Sequence, residues 1–284
     1  MTESSWDRVV HEDATGPRAP WYEARRQVMS HVLTAVATSN WHQHLVLRGS
    51  VTLRAWFGAK AREPVDLDFV VVPHRWRWND VPADHMHEDL VARAADLAAA
   101  AGGVRIRPST GCAENIHRFP YGDIPGRRVA VLWESTDAGS GYLDIDFAFG
   151  ETLPTAPIRT VIPQLCSSGA PIVLPTVDPS LSLAWKLAWL EAETNDESRA
   201  RGKDLFDAVL LAEHCAPDLL RDAVLPFCRA HRQTPSKYLA YLTHWARCVD
   251  WDSFAEDYPL LESAHDEFTE RLSRALAPAL QNPE

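Results

Sequence analysis

Residues 45–72 read Leu45-Val-Leu-Arg-Gly49-Ser50-Val-Thr-Leu-Arg54-Ala-Trp-Phe-Gly58-Ala-Lys60-Ala-Arg62-Glu-Pro-Val-Asp66-Leu-Asp68-Phe-Val-Val-Val72. An apolar strand runs into a Gly-Ser turn, and a short amphipathic helix follows. A basic loop then leads to a second strand that opens with two aspartates one residue apart. Side chains alternate along a strand, so Asp66 and Asp68 are expected on one face. Two neighbouring carboxylates repel unless a cation lies between them. Magnesium, or manganese in its place, suits such an oxygen pair and also binds triphosphate oxygens. At the turn, Gly49 lets backbone N–H groups approach a phosphate, and the helix behind it directs its positive end there. The stretch therefore predicts a site for a metal-bound nucleoside triphosphate.

Outward from this stretch, 284 residues suit one large or two modest domains. A hydrophobic content of 46% is ample for a core. No apolar run approaches the roughly 20 residues needed to span a bilayer. The polar, acidic start is unlike a secretory signal, so a cytoplasmic location is expected. The five cysteines include no Cys-x-x-Cys pair, which argues against a disulfide framework and a zinc site. The net charge of −11 means that a nucleic-acid partner would need a local basic face.

Residues 1–19 read as a loose leader, and a helix is expected over 21–40. Residues 84–101 read as a helix, ended by Gly102-Gly103. Strands are expected at 104–107, 115–121 and 127–134, and a return strand at 142–149 closes a hairpin around the turn cluster 136–141. The proline-rich stretch 151–177 reads as an extended connection with a strand or two. Beyond it the pattern is helical. Asp178 is an expected N-cap before Pro179, and helices follow at 179–193, 202–215, 217–231, 235–249 and 259–278. The fold class is α+β: a mixed-sheet lobe over 20–170 and an all-helical lobe over 171–284.

The return strand carries Asp144-Ile-Asp146. Beside Asp66 and Asp68 it would add a third carboxylate, the arrangement that two-metal phosphoryl transfer requires. Asp146, four residues before Gly150, is favoured, with Asp144 as the alternative.

Gly49-Ser50, the helix with Leu53-Arg54 and Phe57-Gly58, and Asp66-Leu-Asp68-Phe69 resemble the signature of the nucleotidyltransferase superfamily. Trp185-Lys186 and then Arg201-Gly-Lys203-Asp204-Leu-Phe-Asp207 narrow the resemblance to the AbiEii/AbiGii-type toxins of type IV-like toxin–antitoxin and abortive-infection systems. This chain has Gly49-Ser50-Val51 where many such toxins have Gly-Gly-Thr. The resemblance implies a polymerase-β-like lobe, a helical lobe and metal-dependent transfer of NMP from an NTP. Relatives of this type include enzymes that add pyrimidine nucleotides to the tRNA 3′ end and so block aminoacylation. It further implies that Gly49, Ser50 and Arg54 bind the nucleotide and that Asp66, Asp68 and Asp146 hold Mg2+ or Mn2+. Lys186 would reach the triphosphate or base, with Asp204 orienting it or the nucleotide, the two meeting across the cleft between lobes. An RNA acceptor and a cognate antitoxin protein are the implied partners.

Other readings compete. An acidic cleft would also suit a cationic small-molecule acceptor, and a catalytically silent nucleotide-binding module has the same turn. His85-Met-His87-Glu-Asp89 reads as a solvated helix start rather than a metal site. Lys60, Arg62 and the stretch His74-Arg75-Trp76-Arg77-Trp78 mix basic and aromatic residues in a way that suits RNA, or a plain surface loop. Arg229, His231, Arg232 and Lys237 carry the same pair of readings. Asp207 reads as a structural partner of Arg199 or Arg201.

Overall fold

The computed structural model describes residues 9, 11–77, 79–108, 112–116, 125–166, 169–195, 200–216, 218, 220–221 and 234–281. The predicted helix 217–231, Trp78, Arg199, Arg229, His231 and Arg232 lie wholly or largely outside them, as do residues 117–121. The chain divides into two compact units, Met1–Val177 and Asp178–Glu284.

The first unit is built on a mixed sheet of eight strands. They are β1 (Leu45–Arg48), β2 (Leu67–Val71), β3 (Arg105–Ile106), β4 (Cys112–Ile116), β5 (Gly126–Ser135), β6 (Gly139–Ala148), β7 (Ile158–Ile162) and β8 (Ile172–Thr176). The order is β3-β5-β6-β2-β1-β8-β7, and β4 also pairs β5, along Gly126–Ala130 where β3 pairs Trp133 and Glu134. β1 and β2 run antiparallel, β2 and β6 parallel, and β5 and β6 form the long hairpin. A boundary after residue 170 would give β8 to the helices. Instead β8 pairs in parallel with β1, so the first unit runs to Val177.

Alternation decides which face is covered. Leu45, Leu47, Leu67, Phe69, Val71, Val129, Val131, Leu143, Ile145 and Phe147 all enter one apolar core. Two helices close it: α1 (Ala19–Thr38), through Val28, Met29, Val32, Leu33 and Val36, and α3 (Val81–Ala101), through Met86, Leu90, Ala94 and Ala98. The alternate residues of the same strands, Arg48, Asp68, Arg128, Asp144 and Asp146, are therefore left for the opposite face. Between β1 and β2 runs α2 (Ser50–Phe57).

Part of the expected loose leader is packed. Val9 donates to the carbonyl of Ala59, and buried His11 meets the Tyr22 hydroxyl at 3.1 Å. The sequence stretch at the start of α3 also differs from its expectation. His85 is exposed, but His87 is buried against Phe147 and Phe149 because it falls on the sheet side of the helix.

The second unit contains α4 (Pro179–Asn195), α5 (Gly202–His214), α6 (Pro235–Arg247), α7 (Trp251–Asp257) and α8 (His265–Gln281). Asp178 caps α4 as expected, its Oδ1 accepting from the Leu181 amide at 2.9 Å. The predicted helix 259–278 starts later, at His265, after a 3-10 turn at Pro259–Leu261. Phe206, Trp251, Phe254 and Phe268 form the aromatic centre of this unit. No helix among the described residues is long and apolar enough to cross a membrane.

Candidate active site

Strand register in the first unit places four charged residues in one row. Arg48 is opposite Asp68, Asp68 is beside Asp146, and Asp146 is opposite Arg128. The row crosses β1, β2, β6 and β5 with charges plus, minus, minus, plus. Asp68 and Asp146 belong to strands 78 residues apart in sequence, and the parallel pairing of β2 with β6 makes them direct neighbours. β2 itself starts at Leu67, so Asp66 is the residue before the strand rather than its first member. Its charge still acts on Arg128.

The two outer arginines are engaged differently. Arg48 is almost fully buried and donates to Glu151 at 2.8 Å, itself buried just past the end of β6. Burial pushes the Glu151 carboxyl above its ordinary range, against the pull of Arg48. Arg128 forks onto Asp146, with Nε and Nη2 donating to the two carboxylate oxygens at 2.7 Å each. It also lies 3.6 Å from Asp144. Its proton is held more tightly than usual, first by the hydrogen bonds to Asp146 and then by the charges of Asp146, Asp144 and Asp66. Of the two candidates for third carboxylate, Asp146 is the buried one, and Asp144 is more open.

At the turn, Gly49 has φ 79°, in the left-handed region. Its missing side chain serves a second purpose: a Cβ there would collide with the Asp68 carboxylate. No side chain caps the N-terminus of α2. The Ser50 hydroxyl is buried and has no hydrogen-bond partner among the described residues. A buried hydroxyl without a partner is costly, and it marks a place where a ligand oxygen would be satisfied. Arg54 lies at the other end of the same helix. Its Nη1 donates to the carbonyls of Gly58 and Ala61 and closes the turn after α2. Of the basic loop, Lys60 is exposed but Arg62 is buried, as is Glu63, which accepts a fork from Arg26. His74, Arg75 and Arg77 are exposed, while Trp76 packs on His44.

The donor set suits a hard divalent cation, since Asp66, Asp68 and Asp146 offer only carboxylate oxygens. Among the described residues, however, no three such side chains converge as they stand. Both Asp146 oxygens are directed to Arg128.

The second unit holds its own constellation. Lys186 on α4 is buried and donates to Asp204 at 2.7 Å, and it lies 2.8 Å from Asp207, both on α5. Its ammonium also sits 4.4 Å from the centre of the Trp189 ring. Lys186 and Asp204 thus meet inside the helical unit, not across a cleft between lobes. Asp207, expected to pair with Arg199 or Arg201, faces Lys186 because a three-residue step along α5 returns to the same side. Gly202 in the same motif is also explained: a Cβ there would come within 2.7 Å of Phe254 Cβ and 2.9 Å of the Asp250 carbonyl.

Sequence reasoning missed Arg48, Arg128 and Glu151. The signal for Arg48 was a charge ending the buried run Leu45-Val-Leu. For Arg128 only the hairpin register would have served.

The mixed sheet, the Gly-Ser turn before a short helix and the carboxylates on the next strands define a nucleotidyltransferase fold. The description "Nucleotidyl transferase AbiEii toxin, Type IV TA system" matches residues 31–280, and the chain belongs to that family. It is thus a nucleotidyltransferase of the toxin–antitoxin class. A comparison with curated proteins found no match.

Proposed function

We propose that the first unit binds a divalent metal–NTP complex and transfers NMP to an RNA hydroxyl, the 3′ end of tRNA being the acceptor. The reaction joins the acceptor oxygen to the α-phosphorus and breaks the bond to pyrophosphate. The observation that carries this is the Asp68–Asp146 pair in register on adjacent strands, beside the Gly49-Ser50 turn. Asp66, Asp68 and Asp146 would hold Mg2+ or Mn2+. When bound, the ion neutralises triphosphate charge and lowers the pKa of the attacking hydroxyl.

The chain's own groups supply the rest. The α2 amides and the Ser50 hydroxyl donate to phosphate oxygens, and Gly49 keeps backbone and Asp68 close together. Lys186, held by Asp204 and Asp207, is assigned to the nucleotide from the family's lysine-bearing helix. A cognate antitoxin is the expected protein partner. The exposed His74, Arg75 and Arg77 form a basic stretch of the first unit that suits RNA phosphates despite the acidic whole.

The test is incubation with each labelled NTP, Mg2+ and total RNA. Label in tRNA that is lost in Asp66→Ala and Asp68→Ala supports the reading. Label confined to a cationic small molecule would replace the acceptor assignment. NTP binding with no transfer to any acceptor would refute the transferase assignment for this chain.

A further inference from the structure

We infer that Arg128 is the resident counter-ion of Asp146, which a divalent cation must displace, so that the site discriminates against bare metal ions. The inference rests on the proposed metal role of Asp68 and Asp146. Three observations support it. Arg128 donates to both oxygens of Asp146 at 2.7 Å, so each carries a charge-assisted hydrogen bond that a cation would have to compete with. The row places this arginine directly across from Asp146 on the hairpin partner strand, so the contact follows from backbone register and not from a wandering side chain. Arg128 is 41% exposed whereas Asp146 is 7% exposed, so the guanidinium has water to move into and the carboxylate does not.

The consequence is an order of binding. A bare ion must break two charge-assisted hydrogen bonds before it gains its third carboxylate. A metal already carrying a triphosphate brings further ligands and the contacts of the Gly49-Ser50 turn to offset that loss. The site therefore takes up the metal–nucleotide complex in preference to the ion alone.

The experiment is a titration of the full chain with Mn2+, followed by the electron paramagnetic resonance of the free ion, with and without a non-hydrolysable NTP. Thermal unfolding confirms that each variant is folded. Without nucleotide, Arg128→Gln is expected to bind Mn2+ at least about tenfold more tightly than the wild type, the scale of one charge-assisted hydrogen bond. The gain should vanish in the Arg128→Gln, Asp146→Asn double variant. An unchanged or weaker nucleotide-free affinity in Arg128→Gln overturns the inference. With nucleotide, Mn2+ binding should be lost in Asp68→Asn; if it persists there at wild-type strength, the metal assignment itself fails.

Discussion

Asp68 and Asp146 are direct neighbours on the parallel strands β2 and β6, flanked in the same row by Arg48 and Arg128. Two negative charges thus sit side by side between two positive ones. The outer charges are not equivalent. Arg48 is buried and donates to Glu151, whereas Arg128 is half-open and forks onto Asp146. The first arrangement supports the strand ends, and the second controls access to a carboxylate.

Arg48→Met should destabilise the protein by about 3–5 kcal/mol at neutral pH, because it strands the buried Glu151 carboxylate. Burial already raises the Glu151 pKa in the folded state. A raised carboxyl pKa contributes stability that is present below the unfolded pKa and lost as pH rises through the folded value. Losing Arg48 raises that pKa further. The gap between variant and wild type should therefore narrow as pH falls from neutrality into the carboxylate range. Urea unfolding at a series of pH values checks this, and a gap that widens on acidification would contradict it.

Ser50→Ala removes a buried hydroxyl that has no partner among the described residues. Stability should stay within about 1 kcal/mol of the wild type or rise, since no hydrogen bond is lost. NTP affinity should nevertheless fall about tenfold to a hundredfold, the scale of one hydrogen bond to a charged group. Paired thermal unfolding and nucleotide titration separate the two effects. A large loss of stability would show the hydroxyl to be structural.

Gly49→Ala should be the more damaging change at the turn. It strains a left-handed backbone, at a cost of about 1–3 kcal/mol, and drives a methyl group into the Asp68 carboxylate. Transfer should drop by about a hundredfold or more, because misplacing the proposed metal ligand Asp68 by even an ångström is that costly. Rates and unfolding midpoints for Gly49→Ala and Ser50→Ala, measured together, test the ranking.

Lys186→Met leaves Asp204 and Asp207 as two buried carboxylates without their shared cation. A loss of about 3–5 kcal/mol is expected on unfolding of the full chain. Asp207→Asn keeps the volume and one charged partner for Lys186, so it should cost far less. If Lys186 also serves the nucleotide, Asp207→Asn should alter NTP affinity while the unfolding midpoint barely moves.

Much of this was legible locally. The strand, turn, helix and strand of residues 45–72 were readable because each depends on periodicity within a few residues. The Lys186 and Asp204 motifs were legible through their resemblance to the family. Arg128 was hidden because it lies on an ordinary amphipathic strand, and its meaning comes from Asp146 across the hairpin. Arg62 misled for the converse reason: a basic residue in a loop looked exposed, yet the loop folds under α1 and buries it.

The sequence by itself determined the class of chemistry, since a Gly-Ser turn before a helix and alternating aspartates on strands are local devices that carry their own physical meaning. Only the tertiary structure decided which charges stand together. Parallel pairing of β2 with β6 set Asp68 beside Asp146, the β5–β6 hairpin set Arg128 on Asp146, and the packing of α4 on α5 enclosed Lys186 between two aspartates. Such contacts join residues far apart in the chain, and no local pattern encodes the register that makes them.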